Sequence, residues 1–232
     1  MNLRNIVIGI IVLAIVVVGG GLAFLQFTAG DGEASQDISE VSENVESADD
    51  AVVLTIVSDE SEASFTLDED LAGVRTTVVG TTDQVGGEIA FNFGNPSAST
   101  IGEITINART LATDNDFRNQ ALRSQILQSA QDEFEFITFA PTSIEGLPET
   151  VAVGETYTFE IIGDLTIIDT TNPVTFSVEV TIRSENEITA NATASVAYAD
   201  WGITIPSVPR VANVDEETVL TINFVARVSA GE

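Results

Sequence analysis

The sequence predicts an all-β domain of antiparallel strands, and two alternating runs are the clearest sign of it. In residues 157–167 and again in 174–182, apolar side chains alternate with mostly polar ones. Side chains on a strand point to opposite faces with a period of two, so each run has one apolar and one polar face. A turn at residues 169–173 would join the two runs into a hairpin. The alternation recurs along the chain without a βαβ rhythm, which favours a barrel or a sandwich.

Further strands are expected on the same grounds. Their spans are residues 64–68, 76–81, 87–93, 102–108, 135–144, 188–198 and 218–228. Residues 114–131 lack alternation and have helical spacing, so a short helix is expected there, capped by Asp114 or Asp116. Eight antiparallel strands can close into a barrel with room for one small ligand. The pattern therefore predicts an all-β domain of about eight or nine strands with one short helix.

The composition excludes several kinds of chemistry. The chain has 232 residues, with 36 acidic and 8 basic side chains, a net charge of −28, and neither Cys nor His. Disulfides, thiolate nucleophiles, Ser-His-Asp triads and the usual zinc or haem ligation are therefore ruled out. The negative charge argues against binding of nucleic acid and against docking on anionic lipid. Because the acids are scattered, we interpret them as a solubilising surface; a cation or a basic partner is the alternative.

The amino-terminal segment predicts a membrane anchor. Residues 6–25 carry no charge and are long enough to cross a bilayer as a helix. Arg4 precedes them and every acidic residue follows, so the positive-inside rule places the folded domain outside the cytoplasmic membrane. A cleaved signal peptide, with small residues at 21–23, is the alternative and would make the protein secreted. The chain is therefore divided into an anchor or signal segment (1–27), an acidic disordered linker (28–50) and a folded domain (51–232).

One predicted strand is unusual in its small side chains. Ala190, Ala192 and Ala194 share the inward face of the strand at residues 188–198. Protein interiors normally pack without voids. Either these alanines floor a long apolar cavity, or large side chains from across the barrel fill the space, and the sequence leaves both interpretations open.

Several motifs resemble those of the YceI-like family. Residues 163–174 resemble the family's hairpin, Gly-x-Leu-Thr-Ile-x-Gly-Val-Thr-x-Pro-Val, through Gly163-Asp164-Leu165-Thr166-Ile167 and Thr171-Asn172-Pro173-Val174. Residues 64–68 resemble the family's opening strand. Residues 118–122 resemble its Arg-Asp-x-His-Leu helix, and residues 135–139 resemble the aromatic strand that follows it. Residues 199–203 resemble its Asp-Phe-Gly-Ile segment. The resemblance covers nearly the whole folded domain.

This resemblance implies an extended eight-stranded antiparallel barrel, lipocalin-like, in the periplasm or outside the cell. Family members are associated with binding polyisoprenoid chains, such as isoprenoid quinones, in an elongated apolar lumen. Some positions depart from the family pattern: Asp169-Thr170 replace its Gly-Val, and Asn119 and Ala121 replace the Asp and His of the helix motif. Any role of the family's histidines in holding a polar head group is therefore absent here.

Two functions are weighed. The first is an extracytoplasmic, membrane-tethered protein that sequesters or carries a polyprenyl chain or isoprenoid quinone, with no other cofactor and no catalytic or metal-binding residues. Its predicted ligand-binding residues are Phe91, Tyr157, Phe159, Phe176, Ala190, Ala192, Ala194, Trp201 and Phe224. The second is a packed barrel that acts in surface interaction or stress and has no small-molecule ligand. An enzyme is not expected, because the neighbouring acids Asp132-Glu133 and Glu216-Glu217 would face opposite ways on a strand. Oligomeric state is not predicted.

Overall fold

The computed structural model describes residues 30–42, 45 and 50–228, and these form a strongly curled antiparallel sheet with two short α-helices on it. The described strands are β1 (Val52–Ile56), β2 (Glu62–Leu71), β3 (Val74–Thr82), β4 (Val85–Gly86), β5 (Glu88–Phe91), β6 (Thr100–Ile101), β7 (Ile104–Asn107), β8 (Phe136–Glu145), β9 (Thr156–Ile167), β10 (Thr170–Ser184), β11 (Glu187–Ala197), β12 (Val211–Ala212) and β13 (Glu217–Val228). The helices are α1 (Ile38–Val41) and α2 (Asp116–Ala121). The all-β prediction is confirmed.

The sheet is curled so that β4, at one end of the strand order, adjoins β5, the last strand but one at the other end. Hydrogen-bonded neighbours follow the order β4-β7-β8-β9-β10-β11-β13-β1-β5-β6, and β2 adds to β13 with β3 and β12 beside it. Only Gly87 separates β4 from β5, and its φ of +151° is a conformation that side chains rarely adopt. A Cβ there would lie 2.7 Å from Cδ1 of Ile104 and 3.0 Å from the carbonyl oxygen of Glu103. Gly87 thus lets one segment of chain pair with β7 and then with β1.

The described residues contain thirteen strands rather than the expected eight, because long segments are interrupted. β1 and β2 lie one after the other along the same edge of β13, separated by a single turn of 3₁₀ helix at Ser58–Glu60. β1 was not predicted, because residues 51–57 are almost continuously apolar and do not alternate. β4, β6 and β12 have two residues each, which is too short for a period to be recognised.

The predicted central hairpin is confirmed, but its turn is shorter than expected. Ile167 pairs with Thr170, so the turn consists of Ile168 and Asp169 alone, and Pro173 already belongs to β10 opposite Asp164. Ile168 closes this two-residue turn with a φ of +59°. The alternation along β10 is as predicted, with one buried row: Val174, Phe176, Val178, Val180 and Ile182.

The helix expected over residues 114–131 is also shorter. α2 ends at Ala121 and continues as one π-helical turn, Leu122–Ile126. Asn115 caps α2 in place of Asp114 or Asp116: its Oδ1 accepts from the backbone N–H groups of Phe117 at 3.0 Å and Arg118 at 3.1 Å. The sequence analysis overlooked Asn115, although Asn is as good a cap as Asp.

Part of the predicted linker lies on the sheet. The backbone N–H of Ser35 donates to Oε1 of Glu135 at 2.8 Å, and its hydroxyl donates to Oε2 at 2.5 Å. Asp37 caps α1, and the side chain of Ile38 is buried near Gly86. The expectation of disorder is therefore wrong for residues 35–42. Much of the described contact consists of hydrogen bonds from Ser35 and Val45 to acidic side chains, so no hydrophobic pattern indicated it.

The predicted anchor, residues 6–25, lies outside the described residues. Within the part of the chain that is described, no helix is both long and apolar enough to cross a membrane.

Gly163 lies at a position where the neighbouring strand leaves no room for a side chain. A Cβ at this position would lie 2.6 Å from the carbonyl oxygen of Ala140 and 2.6 Å from Cζ of Phe139. Because one of these atoms is backbone, we expect Gly163→Ala to lower the free energy of unfolding by about 1–3 kcal/mol, measured by chemical denaturation. Gly94→Ala is the matched control, since its nearest neighbour would be 3.5 Å away. Equal stability of the two variants would contradict this account.

Candidate ligand cavity

The interior of the curled sheet holds an apolar cavity of about 420 Å³. Side chains from β2, β8, β9, β10 and β13 form its walls, and α2 with the π-helical turn after it lies across one side. Residues 203–211 close the opposite side with a row of apolar side chains that includes Ile203, Ile205 and Val208. A volume of this size lies within the range of about 300–1,000 Å³ that is usual for small-molecule sites.

The cavity follows β2 from a closed end to an open one. Every second residue of this strand lines it: Ala63, Phe65, Leu67, Glu69 and Leu71. Ala63 is 5% exposed, whereas Leu71 is 41% exposed. At about 3.3 Å per residue, the distance from Ala63 to Glu69 is roughly 20 Å. The cavity is therefore elongated, and its mouth lies near Leu71, Phe117 and Val208, which are all exposed.

Two phenylalanines mark the closed end. Phe139 and Phe176 pack edge to face, with ring centroids 4.9 Å apart and an interplanar angle of 69°. Both also line a second void of about 40 Å³ on the other side, together with Ile222. That void has room for about one water-sized group. The interior is thus open on one side of the phenylalanine pair and packed on the other.

The structure separates the predicted ligand-binding residues. Phe176 and Trp201 line the large cavity, while Ala192 and Phe224 line the small void. The remaining five, Phe91, Tyr157, Phe159, Ala190 and Ala194, are not among the lining residues of either space.

The alanines lie in the packed part of the interior because their neighbours on β13 are large. Ala190 is paired with Phe224, Ala192 with Ile222 and Ala194 with Leu220. Alternation shows which side chains point inward, but it does not show which end of the interior has room. Tyr157 serves a loop contact, since its hydroxyl accepts from the backbone N–H of Ala152 at 2.9 Å.

Trp201 forms part of the cavity wall. Its side chain is buried, and Nε1 donates to the carbonyl oxygen of Leu165 at 3.0 Å. Gly202 follows with a φ of +69° and ends the 3₁₀ turn Tyr198–Trp201. Asn172 fixes the same turn to the hairpin by donating to the carbonyl oxygen of Asp200 at 3.0 Å. Trp201 is therefore held in place without a ligand.

The sequence analysis missed the residues that open the cavity. Phe65 and Leu67 belong to a predicted strand but were not chosen as site residues, and residues 203–211 were not assigned a role. The sequence did contain one indication, because Ile203, Ile205 and Val208 lie with two prolines outside the predicted strands. Five apolar residues in such a segment of an acidic chain are expected to pack against other apolar side chains. Ala121, at the position of the resembled motif's histidine, presents a methyl group to the cavity.

Charged groups are few in this apolar wall. Glu69 and Arg118 both line the cavity, and Nη2 of Arg118 lies 2.9 Å from Oε1 of Glu69. Among the described residues, no three His, Cys, Asp or Glu side chains are grouped to hold a metal ion.

A buried polar network holds the helical side of the cavity in place. Residues 108–135 leave the sheet after β7 and return before β8, and Glu135 lies at their end, 1% exposed. Its carboxylate accepts from Nδ2 of Asn107 at 2.8 Å and pairs with Nη1 of Arg109 at 3.0 Å. Nε of Arg109 in turn donates to the carbonyl oxygen of Ser129 at 2.7 Å. The network therefore closes the base of the loop that carries α2.

The charge state of Glu135 follows from the same contacts. Burial opposes its ionisation, but hydrogen bonds from Ser35 and Asn107 and the charge of Arg109 outweigh burial, so the pKa of the carboxyl lies below its usual value. Its ionised form therefore stabilises the fold.

The family of the chain follows from its sequence match. Residues 54–226 match the YceI-like domain. The chain belongs to the YceI-like family. The family suggested by the sequence motifs is thus confirmed, and the match covers the sheet and both sides of the cavity.

Two solved structures share the YceI-like fold with this chain. A polyisoprenoid binding domain from Saccharophagus degradans, implicated in plant cell wall breakdown, aligns with a TM-score of 0.58 at 14% identity over 77% of this chain and 99% of its own. BcnA from Burkholderia cenocepacia aligns with a TM-score of 0.56 at 16% identity over 73% of this chain and 98% of its own. At such identities the likeness shows the fold. No curated protein matches the chain.

Glu135 makes the stability of this YceI-like domain dependent on pH. Because its pKa is lowered on folding, its contribution is present above the ordinary value of 4.5 and is lost as the pH falls through the folded-state pKa. We expect Glu135→Gln to reduce the free energy of unfolding at pH 7 by about 2 kcal/mol, since it leaves Arg109 with only the exposed carboxylate of Asp132 as an ionic partner. The difference between variant and wild type should shrink below pH 4.5, as measured by urea denaturation across pH.

Glu133→Gln is the control for this measurement, because Glu133 is an exposed neighbour. A Glu135→Gln effect that is constant with pH, or that Glu133→Gln reproduces, would show that the network does not act through the charge of Glu135.

Proposed function

We propose that this chain is a binding protein that holds an isoprenoid-type lipid in the cavity along β2. The observation that carries this proposal is the elongated apolar cavity, closed at Phe139 and Phe176 and open near Leu71 and Phe117. Burial of apolar surface would supply the affinity, at about 25 cal/mol per Å² before the costs of binding. The similarity to a polyisoprenoid binding domain supports the same class of ligand.

The size of the cavity bounds the part of the ligand that it encloses. At about 30 Å³ for each water-sized group, 420 Å³ accommodates about fourteen such groups, close to three isoprene units. A longer polyprenyl chain or an isoprenoid quinone would extend through the mouth. The exposed apolar residues there, Leu71, Phe117 and Val208, would cover the part of the chain that leaves the cavity.

We further propose that the domain is tethered to the outer side of the cytoplasmic membrane by residues 6–25. This segment carries no charge and is long enough to span a bilayer as a helix, and Arg4 precedes it. Such a tether would keep the cavity close to the bilayer from which an apolar ligand is taken. If the segment is cleaved, the domain is released as a soluble carrier.

The alternative, a packed barrel without a ligand, explains one part of the interior only. Beyond Phe139 and Phe176 the void is about 40 Å³, as that alternative expects. On the other side of the pair the 420 Å³ cavity has no such explanation, because natural interiors seldom leave apolar space of this size unfilled.

Filling the cavity with a side chain should weaken binding. Ala121 lines the cavity, so Ala121→Phe would occupy ligand space and lower the affinity for farnesol at least tenfold, about 1.4 kcal/mol. The same ring would bury apolar surface and keep or raise the melting temperature. Trp201 is the only tryptophan and lines the cavity, so its fluorescence reports binding directly.

Ala212→Phe is the matched control, because Ala212 is exposed on β12 and does not line the cavity. It should bind farnesol as the wild type does. Unchanged binding by Ala121→Phe in a folded protein would rule out this cavity as the site.

A further inference from the structure

The cavity contains a charged pair at a position where the strand pattern calls for an apolar side chain. Glu69 follows Phe65 and Leu67 on the inward face of β2, and it is 6% exposed. An isolated ionised carboxylate in apolar surroundings is strongly unfavourable, so such a group needs a partner. Arg118 from α2 provides it, with Nη2 2.9 Å from Oε1 of Glu69.

The contacts of Arg118 distinguish its two acidic partners. Nη1 donates to Oδ1 of Asp114 at 2.8 Å, but the side chain of Asp114 is 91% exposed and lies outside the cavity. Glu69, by contrast, lines the cavity together with Arg118. Both acids hold Arg118, but the charge that a ligand would meet inside the cavity is that of Glu69.

The pair leaves hydrogen-bonding capacity for a ligand. Within the described part of the chain, the hydrogen bonds of Glu69 involve Oε1, and those of Arg118 involve Nη1 and Nη2. Oε2 of Glu69 can therefore accept one further hydrogen bond, and Nε of Arg118 can donate one. The side of the cavity near α2 thus combines one acceptor and one donor, which belong to a paired carboxylate and guanidinium.

From this geometry we propose that Glu69 and Arg118 select lipids with an uncharged head group that both donates and accepts a hydrogen bond, as the hydroxyl of a polyprenol does. This inference rests on the proposed function of the cavity. A hydroxyl would donate to Glu69 and accept from Arg118. A quinone carbonyl only accepts, and so would leave Oε2 of Glu69 without a partner.

Charged head groups are disfavoured by the same pair. A phosphate or carboxylate would be attracted by Arg118 but would lie beside the carboxylate of Glu69, and like charges at close range in an apolar site repel strongly. The net charge of −28 over the whole chain adds to this repulsion. Glu69 is thus the specificity-determining residue, and Arg118 is the donor that it neutralises.

The test compares farnesol with farnesyl monophosphate, which share one chain and differ in the head group. Binding to the purified full-length chain is followed by Trp201 fluorescence. We expect the wild type to prefer farnesol by about tenfold or more, the effect of a close like charge. Glu69→Gln removes the negative charge and keeps the size of the side chain, so it should remove or invert that preference.

Asp114→Asn is the matched control, since it removes the other acid of the same guanidinium from outside the cavity. It should keep the wild-type preference. Circular dichroism and the melting temperature show whether each variant is folded, and the ratio of the two affinities is a quantity that a merely structural role would leave unchanged.

The outcomes separate this inference from the proposed function. Binding of both lipids by the wild type with equal affinity, or an unchanged ratio in Glu69→Gln, would overturn the head-group selection and leave the lipid site intact. An equal change of the affinity ratio in Glu69→Gln and Asp114→Asn would also overturn the inference, because a general effect of the protein's charge would then explain the result. If Glu69→Gln does not fold, Glu69→Asn replaces it in the same comparison, since it also removes the negative charge from the cavity. Binding of neither lipid would overturn the inference and the proposed function together.

Discussion

The structure depends on a single constraint, which is that a sheet with one apolar face must curl and fill the space it encloses. In this chain the enclosed space is filled unevenly. β10 and β11 contribute two continuous inward rows, and beyond Phe139 and Phe176 these rows meet large partners on β13. On the other side of that pair the facing side chains do not meet, and a cavity remains.

Gly163 and the phenylalanine pair set the boundary between the two parts. Gly163 lets Phe139 lie against the backbone of β9, and Phe139 then packs edge to face on Phe176. Because interiors pack as closely as organic crystals, a small displacement of either ring would be felt on both sides. The length of the cavity is therefore fixed by side chains that belong to the central hairpin and its neighbour β8.

The walls of the open half are less regular, and polar contacts hold them. Residues 108–135 carry α2 to the cavity, and the buried carboxylate of Glu135 ties their ends together through Asn107 and Arg109. Ser35 adds two hydrogen bonds to the same carboxylate from a segment far away in sequence. A fully packed wall would be held by the apolar area that it buries. This wall borders the cavity and buries less apolar area, so hydrogen bonds and ion pairs hold it in position.

The regular elements could be predicted from the sequence, whereas the volumes inside the sheet could not, for physical reasons. Strands such as β10 and β13 have a period of two that is visible from their residues alone, and the family motifs lie on these strands and on the loops beside them. The site depends on volumes that only pairing reveals: Ala190 lies beside Phe224, and no local pattern could show this. β1 and the contact of Ile38 were likewise missed, since one is uniformly apolar and the other rests on a single side chain.

The central claim is that the open half of the interior holds an isoprenoid-type lipid, and mass spectrometry of organic extracts tests it most directly. The full-length chain would be purified from its native membranes, with the Ala121→Phe variant processed in parallel. The account predicts a stoichiometric isoprenoid lipid in the wild-type extract and its loss from the variant. An extract without lipid, from a chain whose melting temperature does not rise when farnesol or an isoprenoid quinone is added, would contradict it.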